Sequence, residues 1–129
     1  MASRPTKIRY DELNSRQMEN YNFQKVAGYL ADYGFNCLKL SDDWQGADFL
    51  ACHIDGRQFL KVQLKGRMVI DQKYAGKEIH IAFISEGECY LYPHDEMWDR
   101  IEKLGYNFSA RSWPRLPKWA MTLLIDYKL

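Results

Sequence analysis

Asp48, Gln63 and Lys65 carry the strongest chemical signal in the chain, because they fall at the ends of two adjoining strand-like runs. A carboxylate and an amide oxygen held side by side suit a hard divalent cation, which prefers oxygen ligands. The backbone carbonyl of Leu64 is a third candidate ligand. A lysine two residues beyond Gln63 can orient an attacking water and stabilise charge on a phosphate. Glu19 adds a second carboxylate, one helical turn before Phe23 on an apolar stripe. On or beside a buried face it needs a partner or a cation, since burying a lone charge is costly. The two acids also have plainer alternatives: Asp48 as a turn residue after Gly46, and Glu19 as a solvated glutamate favoured by the helix dipole.

The register of the two runs decides whether these groups meet. Asp48 to Ile54 and Arg57 to Lys65 read as strands joined by Asp55-Gly56, a strong hairpin signal because both central positions of such a turn need φ > 0. As a two-residue loop it sets Ile54 opposite Arg57 and, stepping outward, Asp48 opposite Gln63. Opposed residues share a face of a sheet, and so do alternate ones. Asp48, Gln63 and Lys65 therefore project to one side, and Phe49, Ala51, Leu60, Val62 and Leu64 to the other. A four-residue loop keeps this register; a three-residue loop with a bulge breaks it.

The surrounding elements follow from periodicity. Asn14 or Ser15 caps a helix over about 15–33, with Gln17 as capping-box partner, the stripe Phe23, Val26, Ala27, Leu30, Tyr33, and Gly34 as the stop. Phe35 to Leu40 reads as a strand and Ser41 to Gly46 as a polar loop. Beyond Gly66 come the short run Met68–Ile70 and a polar turn through Gly76. Strands follow at Ile79 to Ile84 and Cys89 to Tyr92, joined by Glu86-Gly87-Glu88. A second helix over 95–104 begins after Pro93-His94, with Met97, Trp98, Ile101 and Leu104 on one face and Gly105 at its end. Residues 1–12 are polar and expected to be loosely held, and 106–129 form a C-terminal extension to which the pattern assigns no structure. Helix, strands, helix in this order is an α+β fold: an N-terminal helix packed on a central mixed sheet.

Composition narrows the class. The 129 residues suit one domain, 1–129, and 47% hydrophobic with 27% charged residues excludes a disordered or collagen-like chain. A formal charge of +1 argues against a protein coated in positive charge, while leaving room for a local groove. No apolar run approaches the ~20 residues of a membrane helix. The polar N-terminus has no apolar core of a secretory signal. Cys37, Cys52 and Cys89 lack CxxC spacing, so a reduced cytoplasmic protein is expected. His53, His80 and His94 form no zinc pattern; the first two read as hydrogen-bonded bystanders and the third as part of a helix start. Lys61, Arg67, Lys73 and Lys77 cluster around the proposed site and suit a polyanion. Lys103, Tyr106, Phe108, Arg111, Trp113, Arg115, Lys118 and Trp119 interleave bases with aromatics, as either a nucleic-acid surface or a tail packed on the core does.

The order of Glu19 on a first helix, Gly46-Ala47-Asp48 opening a strand, and Val62-Gln63-Leu64-Lys65-Gly66 closing the next resembles the PD-(D/E)XK nuclease superfamily. That superfamily includes restriction enzymes, Holliday-junction resolvases and homing endonucleases. The resemblance spans roughly residues 15–92 and implies a restriction-endonuclease-like core. It implies a DNA endonuclease that hydrolyses phosphodiester bonds with magnesium, or manganese in its place. Asp48 and Gln63 would bind the metal, Glu19 would complete the site and Lys65 would serve the attacking water. Duplex or branched DNA is the implied substrate, and a homodimer the implied assembly, one site per strand. The alternative is a non-catalytic DNA-binding or assembly protein on the same fold, its site altered where Gln63 stands for the usual glutamate.

Overall fold

The computed structural model describes residues 3–106 and 118–129. Phe108, Arg111, Trp113 and Arg115 of the basic and aromatic stretch lie outside them. The first helix, α1 (Ser15–Ala31), starts at the expected capping box. Asn14 Oδ1 accepts from the Gln17 N–H and Gln17 Oε1 accepts from the Asn14 N–H, both at 2.9 Å. Just before it, Tyr10–Glu12 forms a 3₁₀ turn whose Tyr10 ring meets Tyr21 edge-on at 5.3 Å, tethering this part of the leading segment to α1. Gly34, at φ +85°, turns the chain into β1 (Phe35–Trp44); a Cβ there would stand 3.0 Å from the His53 ring.

Two hairpins differ from the sequence reading. Ser41 to Trp44, expected in a loop, continue β1, and the turn to β2 (Ala47–His53) is only Gln45-Gly46. Both turn residues have positive φ, 54° and 86°, as a two-residue hairpin loop matched to strand twist requires. Asp55-Gly56, expected to be such a loop, is not one. The ladder closes with the His53 N–H on the Gln58 carbonyl at 3.0 Å, leaving Ile54–Arg57 as the connection to β3 (Phe59–Leu64). The physical reason lies in two competing partners. The Ile54 N–H goes to the Gly34 carbonyl, and the Asp55 carboxylate accepts from the Arg57 N–H, the Gln58 N–H and the Gln58 side chain. Those bonds hold Asp55 below the usual carboxylate range. The longer loop preserves the register, with Phe49 opposite Val62 and Ala51 opposite Leu60.

β4 (Ile79–Ser85) and β5 (Glu88–Pro93) complete a five-stranded sheet in the order β1-β2-β3-β4-β5. All neighbours are antiparallel except β3 and β4, so the sheet is mixed. The parallel pair needs a crossover, and the chain between Lys65 and Glu78 makes it with a single 3₁₀ turn, Gln72–Tyr74. α2 (His94–Lys103) follows directly, with Asp95 and Glu96 in its first turn and Arg100 and Lys103 in its last, both matched to the helix dipole.

The sheet is covered on both faces. On one, Val26 and Leu30 of α1 meet Phe49, Ala51, Val62, Ala82 and Cys89. On the other, Met68, Ile70 and Tyr74 of the crossover pack with Met97 and Ile101 of α2 on Ile79, Ile81, Phe83 and Tyr92. Within the C-terminal extension, a 3₁₀ helix (Lys118–Tyr127) adds Ala120 and Leu124 to that second layer. The Leu129 N–H then bonds the Cys89 carbonyl at 2.9 Å, covering part of the β5 edge. Cys37, Cys52 and Cys89 are free thiols, and burial pushes Cys37 and Cys89 each up to about 11. No described helix is long and apolar enough to cross a membrane.

Candidate active site

At the end of the sheet where β2 begins and β3 ends, Asp48, Gln63, Leu64, Lys65 and Glu19 line one open cleft. Asp48 is half-buried, and its Oδ2 accepts from the Leu64 N–H at 2.9 Å, which fixes the carboxylate between the two strands. Within a strand, a residue's N–H and C=O point to the same edge, so the Leu64 carbonyl turns toward β2 as well. Burial raises the Asp48 carboxyl above its ordinary range; the Leu64 N–H opposes this, Asp43 adds to it, Lys65 opposes it and Glu19 adds to it. One rigid acid therefore gathers the influence of residues from α1, β1 and β3. Lys65 continues the ladder by donating its N–H to the Ala82 carbonyl at 2.9 Å, while its ammonium rests over the Tyr74 ring.

Gln63 is the unusual member. Its Oε1 is buried and has no hydrogen-bond partner. A buried acceptor left empty is costly and rare. Among the described residues no three His, Cys, Asp or Glu side chains stand close enough to hold a metal ion. A cation at this cleft must therefore take a mixed oxygen set, namely the Asp48 carboxylate, the Gln63 amide oxygen and main-chain carbonyl, which is the donor chemistry of magnesium or manganese. The empty acceptor fits that requirement.

The cleft also holds residues that the sequence reading passed over. Arg16, Asn20, Lys39, Asp42 and Asp43 line it. The signal for Arg16 was available, one helical turn before Glu19. Lys39 stands opposite Phe49, next to Asp48 across the β1–β2 ladder, and its ammonium donates to the Asn20 side-chain oxygen. Conversely, none of Lys61, Arg67, Lys73 and Lys77 lines the cleft. Lys61 shares the Gln63 face two residues earlier on β3, and the other three belong to the crossover.

The crossover is fastened to β5 and α2 by the Tyr92 and His94 side chains. The Tyr92 hydroxyl accepts from the Val69 N–H at 2.8 Å and donates to its carbonyl at 2.7 Å. His94, fully buried, accepts the Asp71 N–H on Nε2 at 3.1 Å, which leaves Nδ1–H to donate to Asp95 at 3.0 Å. Its role is thus structural. His53 is hydrogen-bonded to the Asp55 N–H as expected; the Nδ1 of His80 is buried without a partner, and burial lowers the His80 pKa.

The fold matches a Holliday junction resolvase from the archaeon Archaeoglobus fulgidus with a TM-score of 0.54 at 13% identity, over 78% of this chain and 91% of that one. It matches a bacterial homing endonuclease with a TM-score of 0.52 at 18% identity, over 90% of this chain and 88% of that one. The fold is restriction-endonuclease-like. No family model matches the sequence, and neither does any curated protein. The restriction-endonuclease-like core is thus recognisable by shape.

Proposed function

We propose that the chain is a divalent-cation-dependent DNA endonuclease. The observation that carries this reading is the buried, unpartnered Oε1 of Gln63 in the same cleft as Asp48, Lys65 and Glu19. Asp48 and Gln63 are the cation ligands, with the Leu64 carbonyl as a third and Glu19 as a further carboxylate at the cleft wall. A bound cation supplies Lewis acidity toward a phosphodiester oxygen and toward water. Lys65 then holds the attacking water and faces the charge that develops on the phosphate. Arg16 and Lys39 bring two more positive charges to the cleft, where a polyanionic backbone would lie. A homodimer would present one such site to each strand of a duplex, and the free thiols suit a reducing cytoplasmic compartment. Magnesium-dependent nicking of supercoiled plasmid tests the reading; absence of nicking on duplex, branched and single-stranded DNA overturns it.

One observation favours the second reading, a non-catalytic DNA-binding or assembly protein. Gln63 brings no charge, and among the described residues no trio of acids, histidines or cysteines surrounds the cleft closely enough for a metal. Gln63→Glu separates the two. Adding a negative charge to the ligand set is expected to keep or tighten cation binding, read as the shift in Tm on titrating manganese. A variant that binds the cation no better than wild type, with no wild-type shift either, supports the non-catalytic protein.

DNA affinity is expected to fall steeply with salt, because each phosphate neutralised releases counterions, with a logarithmic slope of about −0.9 per contact on duplex. Lys61→Ala, Arg67→Ala and Lys73→Ala should each reduce that slope by about one contact or less. Affinity that stays flat between low and moderate salt would argue against nucleic acid as the partner.

A further inference from the structure

We propose that Tyr74 is a positioning residue of this site: its ring seats the ammonium of Lys65 and braces the turn that delivers Asp48, so one buried aromatic sets the two groups relative to each other. The inference rests on the nuclease reading for its catalytic consequence, but not for its geometry. Tyr74 is almost fully buried, 3% exposed, on the crossover between β3 and β4. Lys65 Nζ stands 5.3 Å from the ring centroid, within the range of a cation–π contact. Among the described residues Lys65 has no carboxylate at ion-pairing distance, so the ring face is the electronegative surface on which its charge rests. A flexible four-carbon stem without such a seat would sample many rotamers.

The same ring touches the Asp48 side of the cleft. A Cβ placed on Gly46 would come within 3.4 Å of Tyr74 Cδ1, and Gly46 lies two residues before Asp48 in the tight β1–β2 turn. Lys73 Nζ shares the ring at 5.1 Å. The ring itself cannot drift. Asp71 caps its 3₁₀ turn by accepting from the Lys73 N–H at 3.0 Å, and the Gly76 N–H donates to Asp95 at 2.9 Å. His94 packs edge-on against Tyr74 with centroids 5.7 Å apart. The start of α2 thus supports Tyr74, and Tyr74 supports Lys65.

The test uses the full chain and two variants, Tyr74→Phe, which keeps the ring, and Tyr74→Leu, which keeps an apolar filler without it. The first readout is the NMR position of the Lys65 ε-methylene protons, assigned with Lys65→Arg and independent of any nuclease activity. A ring beneath the stem displaces them upfield in wild type and in Tyr74→Phe, and the displacement is lost in Tyr74→Leu. The second is turnover in plasmid nicking, expected to fall roughly 2- to 30-fold in Tyr74→Leu at unchanged KM and to be retained in Tyr74→Phe. Wild-type ε-methylene protons at the position of an unstructured lysine overturn the proposal, even if Tyr74→Leu does not fold. Tyr74→Leu with unaltered Lys65 resonances, or with turnover equal to wild type, overturns it too. An upfield Lys65 signal in a wild type that nicks no DNA upholds the seat and removes the endonuclease.

Discussion

Lys65→Ala is expected to lower the rate of magnesium-dependent nicking by about 10²–10³-fold, the scale seen when one preorganised electrostatic stabiliser is removed. The loss should fall on turnover rather than on binding, because the ammonium acts on charge that develops only in the transition state. The fold should tolerate the change. Lys65 contributes its N–H to the Ala82 carbonyl as backbone, which alanine preserves, and its side chain forms no ion pair among the described residues. Cation binding should also survive, since the Asp48 carboxylate and the Gln63 oxygen are untouched. Single-turnover nicking, DNA affinity and a manganese-dependent Tm on the same preparation check all three. Undiminished nicking by Lys65→Ala would mean that the activity comes from another site or a contaminant.

Asp48→Asn is expected to have the opposite signs on function and stability. Function goes because the cleft loses its fixed carboxylate: cation binding and nicking should both drop to background, and manganese should no longer raise Tm. Stability should rise at neutral pH by a few °C in Tm. Burial first, then the charges of Asp43 and Glu19, raise the Asp48 carboxyl in the folded chain. A carboxyl whose folded pKa is raised penalises the fold when ionised. That penalty is present above the folded pKa and disappears as pH falls below the unfolded value. The advantage of Asp48→Asn should therefore be largest near neutral pH, in the absence of divalent cation, and vanish in acid. Asparagine retains an oxygen able to accept the Leu64 N–H, so the structural bond at 2.9 Å need not be lost. Equal Tm values for wild type and Asp48→Asn across the whole pH range would show that the ionised carboxylate costs the fold nothing.

The two variants together separate chemistry from architecture. A protein in which Lys65→Ala cuts nicking while Asp48→Asn is more stable but cation-blind has a working site held at the expense of stability, as buried charge at functional positions commonly is. A protein in which neither variant alters any nucleic-acid property is a nuclease-like fold put to another use.

The sequence by itself determined what depends on neighbours along the chain. The Asn14–Gln17 capping box, the α1 stripe of Val26 and Leu30, and the alternation that turns Phe49, Ala51 and Val62 to the α1 face are all local patterns. The pairing of Asp48 with the level of Gln63 was legible for the same reason, although the loop that achieves it is longer than its Asp55-Gly56 letters suggest. Periodicity constrains register even where turn chemistry misleads, because shifting a half-buried strand by one residue would turn every apolar side chain to the wrong face.

Only the tertiary structure decided what depends on chain segments far apart. Nothing near Tyr74 in the sequence marks it as a seat for Lys65. The contact exists because the β3–β4 crossover folds back over the strand end and is tied there by Tyr92, His94 and Asp95. Arg16 and Lys39 reach the cleft because α1 and β1 both flank the start of β2. Arg67, Lys73 and Lys77 do not line the cleft, although Lys73 shares the Tyr74 ring with Lys65, since proximity in sequence does not fix where a side chain points once the chain turns. The histidines diverged for a similar reason. A ring meets whatever the neighbouring layer offers, a hydrogen-bond partner for His94 at the start of α2 and none for the Nδ1 of His80 in β4. Hydrogen bonding and burial are properties of packed layers, and the layers are assembled from segments that no local pattern relates.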